Sequence, residues 1–212
     1  MGTLKNGIAG NYSGKIGNLV FYEINGKQVV RTVGKITKPP TEKQLSCRQQ
    51  ITVINSFLKP VIEFVNVGFK LKAKGTNKGA YNMAVSHNKK QALQGIYPSI
   101  EMDYPSVLLT QGSLTGAISP EVEQLPEGLK FTWLCPTEFA WPFGNDQVML
   151  MAYFPKLKKA VFNLYGAKRS GCEDVLNLQP DLLSEYMEVY ISFIAENRTR
   201  IANSTYLGNF NK

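Results

Sequence analysis

From Asn18 the chain reads as extended, and in "NLVFYEINGKQVVRTV" two runs of strand-forming residues flank Asn25-Gly26. That dipeptide is the strongest short hairpin signal, because a type I′ turn needs positive φ at both central positions. A two-residue loop sets the register, with Ile24 opposite Lys27, Tyr22 opposite Val29 and Val20 opposite Arg31, while Phe21 meets Val30 on the other face. Apolar residues fall on both faces, which predicts that the hairpin packs on something on each side. Pro39-Pro40 closes the extended region, and Thr41 with Gln44 forms a capping box at a helix start. Cys47, Ile51, Ile54, Leu58, Val61 and Val65 then recur at alternating spacings of four and three, one stripe of a helix that predicts a buried face within its own domain. Pro60 removes the amide that would bond to the Ser56 carbonyl, so a kink or a break into two helices is expected there.

After "KLKAKGTNKG", Asn77 caps a second predicted helix with Tyr81, Ala84, Val85 and Ala92 on one side and Gly95 as its stop, lying against the first. "SIEMDYPSVLLTQGSL" turns strand-like, punctuated by Pro105 and Gly112, and marks the start of a second unit. The predicted organisation is residues 1–105 as a basic hairpin and helical unit and residues 106–212 as a β domain. In the latter, "GLKFTWLCP", "DQVMLMAYFP", "KAVFNLYGA", "DVLNLQP", "EYMEVYISFIAEN" and "RIANSTYLG" are short strands separated by Pro, Gly, Asn and Asp, a density that argues for an antiparallel sandwich. Trp133, Tyr153, Leu178 and Tyr190 resemble core positions of fibronectin type III or immunoglobulin-like modules. The expected fold class is therefore α+β: an N-terminal β-hairpin plus helices, then a C-terminal antiparallel immunoglobulin-like (fibronectin type III-like) β-sandwich.

Composition sharpens this picture mainly through charge. The 212 residues carry a net charge of +8. Residues 1–98 hold fifteen Lys and Arg against Glu23, Glu42 and Glu63, a net +12, whereas residues 99–212 hold nine against thirteen acids, a net −4. Such a split fits a basic half facing an anionic partner, or a lysine-rich surface balanced by an acidic domain of the same chain. Cys47, Cys135 and Cys172 are odd in number, widely spaced and form no CxxC pair, so the cysteines are expected to be reduced and the protein soluble and cytoplasmic. The polar, glycine-rich start does not read as a secretory leader, and no apolar run reaches the ~18 residues of a membrane helix.

Candidate chemistry thins out on inspection. "GNYSGKIG" places Ser-Gly-Lys in a glycine-rich run, but a phosphate-binding loop would need glycine at Ala9 and a hydroxyl at Ile16. A strand follows Lys15 where that loop would feed a helix, so the glycines are expected to let an irregular arm bend against the hairpin. Two S-x-x-K spacings, Ser56 with Lys59 and Ser86 with Lys89, lack the companion elements of serine acylases and read as solvated helix surface. His87, the only histidine, stands in "AVSHNKKQ" among lysines and reads as a surface or half-buried helix residue. Glu121, Glu123, Glu127, Asp174, Asp181 and Glu188 are scattered and offer no pairing that sequence can establish. No catalytic, cofactor-binding or metal-binding residue is expected.

Taken together, "GNYSGKIGNLVFYEINGKQVVRTV", "KPPTEKQL", "FLKPVIEFVNVGFK", "YNMAVSHNKKQALQGIYP", "SVLLTQGSL" and "IANSTYLG" resemble an uncharacterised Bacteroidetes family, DUF6266, nearly end to end. The resemblance implies a bacterial intracellular origin and brings no activity, cofactor or catalytic residue. The block around Pro40, Gln44 and Arg48 is also similar to a short pattern of phage-derived structural proteins. The expected function is a non-enzymatic structural or protein-interaction role with a protein partner, without a membrane. The alternative is nucleic-acid binding by the basic half through Lys15, Lys27, Arg31, Lys35, Lys70, Lys72, Lys74 and Lys78.

Overall fold

The computed structural model describes residues 2–4, 12–24, 26–35, 37–135 and 143–212, and the chain divides between Thr41 and Glu42 into two compact units. The first is a four-stranded antiparallel sheet of β1 (Gly2–Leu4), β2 (Tyr12–Ile16), β3 (Leu19–Ile24) and β4 (Lys27–Thr32), in that order. The hairpin register is the predicted one, Ile24 pairing with Lys27, Tyr22 with Val29, Phe21 with Val30 and Val20 with Arg31. Gly26 takes φ 77°, as the turn demands, while Asn25 lies outside the described residues. The glycine-rich run departs from expectation: Gly14 and Lys15 sit within a paired strand, opposite Phe21 and Val20, and not in an irregular arm. Ala9 and Gly10 lie outside the described residues.

The second unit begins with α1 (Glu42–Leu58), α2 (Ile62–Ala73) and α3 (Ala80–Gln91). Pro60 breaks the first two as expected, and their axes bend by 106°. No single helix among the described residues is long and apolar enough to cross a membrane. The stripe Ile54, Leu58, Val61 and Val65 is buried, but Cys47 at its predicted start is exposed, and Phe57, Phe64 and Phe69 add the bulk of the buried face. Each such side chain stabilises the fold by roughly 1.5–3 kcal/mol through burial. Asn77 does not cap α3, whose N-cap is Gly79 without a side-chain hydrogen bond. The Tyr81 hydroxyl donates to Asn55 Oδ1 at 2.8 Å and fastens α3 to α1.

Two residue pairs, β5 (Leu93–Gln94) and β6 (Glu101–Met102), form a small ladder before the main strands. These are β7 (Glu121–Leu125), β8 (Gly128–Thr132), β9 (Gln147–Phe154), β10 (Lys159–Asn163), β11 (Glu173–Asn177), β12 (Met187–Ile194) and β13 (Thr205–Phe210). They build two antiparallel sheets, β10-β9-β12-β13 and β11-β8-β7, so the fold is α+β. Strand β9 is covered on both sides, which explains why "VMLMAYF" is apolar throughout. Met149, Met151 and Tyr153 join the helical core, while Val148, Leu150, Ala152 and Phe154 join the core shared with β8 and β11.

Three expectations change here. The predicted boundary at 105/106 falls inside the second unit, because the helices complete one hydrophobic core with Met149, Met151, Tyr153 and Tyr190. Tyr153 and Tyr190, read as positions between sheets, face the helices instead, whereas Trp133 and Leu178 do lie in the core between the sheets. Cys135 and Cys172, expected to be reduced, are joined in a disulfide with Cα atoms 5.7 Å apart, leaving Cys47 free. Their meeting follows from sheet register: Thr132 pairs with Glu173, and the Trp133 amide donates to the Cys172 carbonyl at 3.0 Å, so the strand ends bring both sulfurs together.

Candidate anion-binding groove

Helix α3 presents Met83, Ser86, His87 and Lys90 at the i, i+3, i+4, i+7 spacing of one helical face. Opposite them stands Lys72 from the last turn of α2, with Lys78 and Gln111 completing a hollow of about 270 Å³. An adjoining hollow of about 420 Å³ shares Lys72 and Gln111 and is bounded by Gly112, Thr199, Arg200 and Asn203. Among the described residues no Asp or Glu lines either hollow.

The floor between the hollows is held by close backbone approach. A side chain at Gly68 would place its Cβ 2.3 Å from the Leu109 carbonyl oxygen, and one at Gly112 would sit 2.1 Å from the Ile201 carbonyl oxygen. With glycine there, the Gln111 amide donates to the Gly68 carbonyl at 3.1 Å, and the Leu114 amide to the Ile201 carbonyl at 3.0 Å. Side chains lock the same segment: the Gly112 amide donates to Asn203 Oδ1, and the Thr110 hydroxyl donates to the Ala202 carbonyl. Buried Asn88 on α3 holds it from the other side, donating to the Leu108 carbonyl and accepting from the Leu108 amide. Each of these bonds satisfies a polar group that burial would otherwise penalise.

Electrostatics follow from this crowding. Burial lowers the pKa of His87 below its usual value, and the positive charge of Lys72 lowers it further, so the ring is neutral near pH 7. Lys72, Lys78 and Lys90 make no salt bridge among the described residues, in contrast to Lys130, whose ammonium lies 2.8 Å from Glu173.

The eight sequence candidates are thus divided. Lys72 and Lys78 line the groove, whereas exposed Lys70 and Lys74 do not. Lys15, Lys27 and Arg31 share one face of the N-terminal sheet with Val20, Tyr22, Ile24 and Val29, and Lys35 follows β4. Sequence reading missed Lys90, Gln111 and Arg200. Lys90 was recoverable from its helical spacing to His87, but nothing local ties Gln111 or Arg200 to it.

Other chemical readings separate in space. The Ser56 hydroxyl donates to the Val53 carbonyl of its own helix, and the Lys89 ammonium points at Cys47 Sγ, 3.1 Å away, in a different hollow from Ser86. Among the described residues no three His, Cys, Asp or Glu side chains gather as a metal site. Three buried charged residues have structural partners. The Glu188 carboxylate accepts from the Tyr186 and Tyr206 hydroxyls. Arg169 pairs with Asp146 at 3.3 Å, donates to the Gly116 and Thr115 carbonyls, and lies over the Phe193 ring.

No curated protein and no solved structure gives a significant match to the chain. Residues 10–208 match a family described as a family of unknown function, DUF6266, a span that takes in the N-terminal sheet from β2 onward, the helices and most of the last strand. The chain belongs to that family.

Proposed function

We propose that the protein is a non-enzymatic structural or protein-interaction component whose N-terminal sheet docks a partner protein with an acidic surface. The observation that carries this reading is the sheet's composition by face. Ile16, Leu19 and Val30, at 51%, 40% and 52% exposure, share one face with Tyr12 and Phe21, and no described residue of the unit is buried. Among the described residues of its own unit this sheet has no second layer, and single-layer sheets gain stability when an apolar face is covered. Residues 1–41 hold six Lys and Arg against Glu23 alone, so long-range charge favours the approach of an acidic partner over that of a second copy, while the apolar face makes the contact.

A photo-crosslinking residue at Val30 in the native cell tests this. The expected result is one dominant acidic protein, whose crosslink disappears in an Ile16→Asp, Leu19→Asp variant that melts like the parent. Self-crosslinks alone, or no crosslink, would contradict it. A second reading, single-stranded nucleic acid on the opposite face, is favoured by Lys15, Lys27 and Arg31 surrounding Tyr22. Loss of binding on Tyr22→Ala would support that reading.

We also read the two sheets of the second unit as a fibronectin type III-like sandwich. Strand orders β7-β8-β11 and β10-β9-β12-β13, with Trp133 and Leu178 between them, support it. The disulfide between Cys135 and Cys172 weighs against the cytoplasmic location expected from the cysteine count.

A further inference from the structure

We propose that the groove formed by α3, the 110–113 segment and the 199–203 turn binds a phosphate-bearing polyanion, read by its charges and not by base stacking. This inference is independent of the docking sheet and concerns only the second unit.

The argument starts from where charge is placed. Residues 42–212 hold eighteen Lys and Arg against fifteen Asp and Glu, so acidic groups are nearly as common as basic ones. Yet Lys72, Lys78 and Lys90 line two connected hollows in which, among the described residues, no carboxylate takes part, while Arg200, whose charge also acts on Asp146, stands at the far end. Neighbouring cations repel one another; at His87, whose pKa is lowered first by burial, the Lys72 charge adds to the lowering. An anion threaded between the cations would relieve the repulsion.

The remaining polar lining fits the same ligand. Gln111, Ser113 and Asn203 can donate hydrogen bonds to phosphoryl oxygens, while Leu71, Met83 and Ile201 make an apolar wall. Among the described residues no Phe, Tyr or Trp lines either hollow, so a base finds no described ring to stack on. The connected length favours a chain of phosphates over a single one. The glycine-dependent floor means the groove is formed before the ligand arrives, so little ordering cost opposes binding.

The test uses the full chain and fluorescence anisotropy with a labelled random-sequence single-stranded RNA, across a salt series, with inorganic polyphosphate as competitor. Two triple variants remove the same charge: Lys72→Gln, Lys78→Gln, Lys90→Gln in the groove, and Lys15→Gln, Lys27→Gln, Arg31→Gln on the sheet. The groove variant is expected to bind about ten-fold or more weakly and to flatten the log-affinity against log-salt slope by about 2, with the sheet variant unchanged. Full competition by polyphosphate would identify bare phosphate as the recognised chemistry. RNA binding that depends on the groove but resists polyphosphate would identify a nucleic-acid backbone as its source. No binding by the parent protein, equal loss in both variants, or loss only in the sheet variant would overturn the proposal. Unchanged melting of both variants shows that the comparison reads binding and not folding, and Lys72→Arg, Lys78→Arg, Lys90→Arg should restore affinity.

Discussion

The two units solve the burial problem differently. In residues 42–212, β9 and β12 have apolar contacts on both sides, and each side belongs to its own core. In residues 1–41, the same alternation puts apolar side chains on two faces, yet none of those described is buried. A strand is therefore an incomplete statement of stability, because the layer that covers it decides what its side chains contribute. The first unit leaves its described apolar side chains uncovered, and the second builds two buried cores.

The sharpest way to break this comparison is to truncate one aromatic in each unit. Phe193 is fully buried, stacks edge-on to Trp133 with centroids 5.3 Å apart and lies beneath Arg169. Phe193→Ala should cost about 3–5 kcal/mol in urea unfolding. Phe21→Ala should leave the main transition within about 0.5 kcal/mol. Similar losses from both would show that the units unfold as one body.

Next in size is the disulfide, which closes a separation of 37 residues. Chain-entropy arguments give such a loop about 3–4 kcal/mol. Reduction, or Cys135→Ser with Cys172→Ser, should lower the main unfolding transition accordingly, and the oxidised protein should titrate as one free thiol. Three free thiols in the native protein would contradict the pairing. Gly68→Ala comes third, at about 1–3 kcal/mol, because the added methyl meets backbone in place of a movable side chain. A neutral result would mean that α2 shifts away from Leu109, and the groove floor would shift with it.

The smallest effect is a pH dependence confined to the second unit. Burial raises the Tyr153 pKa to about 12. Tyr206 is likewise pushed up to about 12, first by burial and then by its hydrogen bond to Glu188. Below pH 10 the folded and unfolded chains both keep these protons. Between pH 10 and about 12 the unfolded chain loses them first, so stability falls as pH rises through that window. Phenolate absorbance should rise together with unfolding there, and Tyr153→Phe with Tyr206→Phe should flatten the slope. An unchanged slope would place the tyrosines outside the folded network.

What sequence made legible was local. Asn25-Gly26 dictates its hairpin register through two dihedral angles, and Pro60 breaks a helix through one missing amide, so neither needs the rest of the chain. Strand density gave the β-rich second half for the same reason, although "EVEQL", the β7 strand, was overlooked because its polar alternation resembles a turn. The misses were long-range. The cysteine pairing depends on the register between β8 and β11, and the unit boundary depends on which face of β9 the helices cover. The burial of Asn88 and Arg169 depends on carbonyl partners far along the chain, which no local pattern identifies. Lys72 and Lys78 were visible as lysines in "KLKAKGTNK", whereas Arg200 on its turn joins them only when the 110–113 segment pairs beside residue 201.

Hydrogen exchange followed by mass spectrometry on the full chain tests the difference between the units most directly. Peptides spanning Gln147–Phe154 and Met187–Ile194 should exchange only through global unfolding, while those spanning Leu19–Thr32 should exchange orders of magnitude faster in the isolated protein. Equal protection of the two sets would contradict the account, because the N-terminal sheet would then already have the covering layer that its exposed apolar face is argued to await.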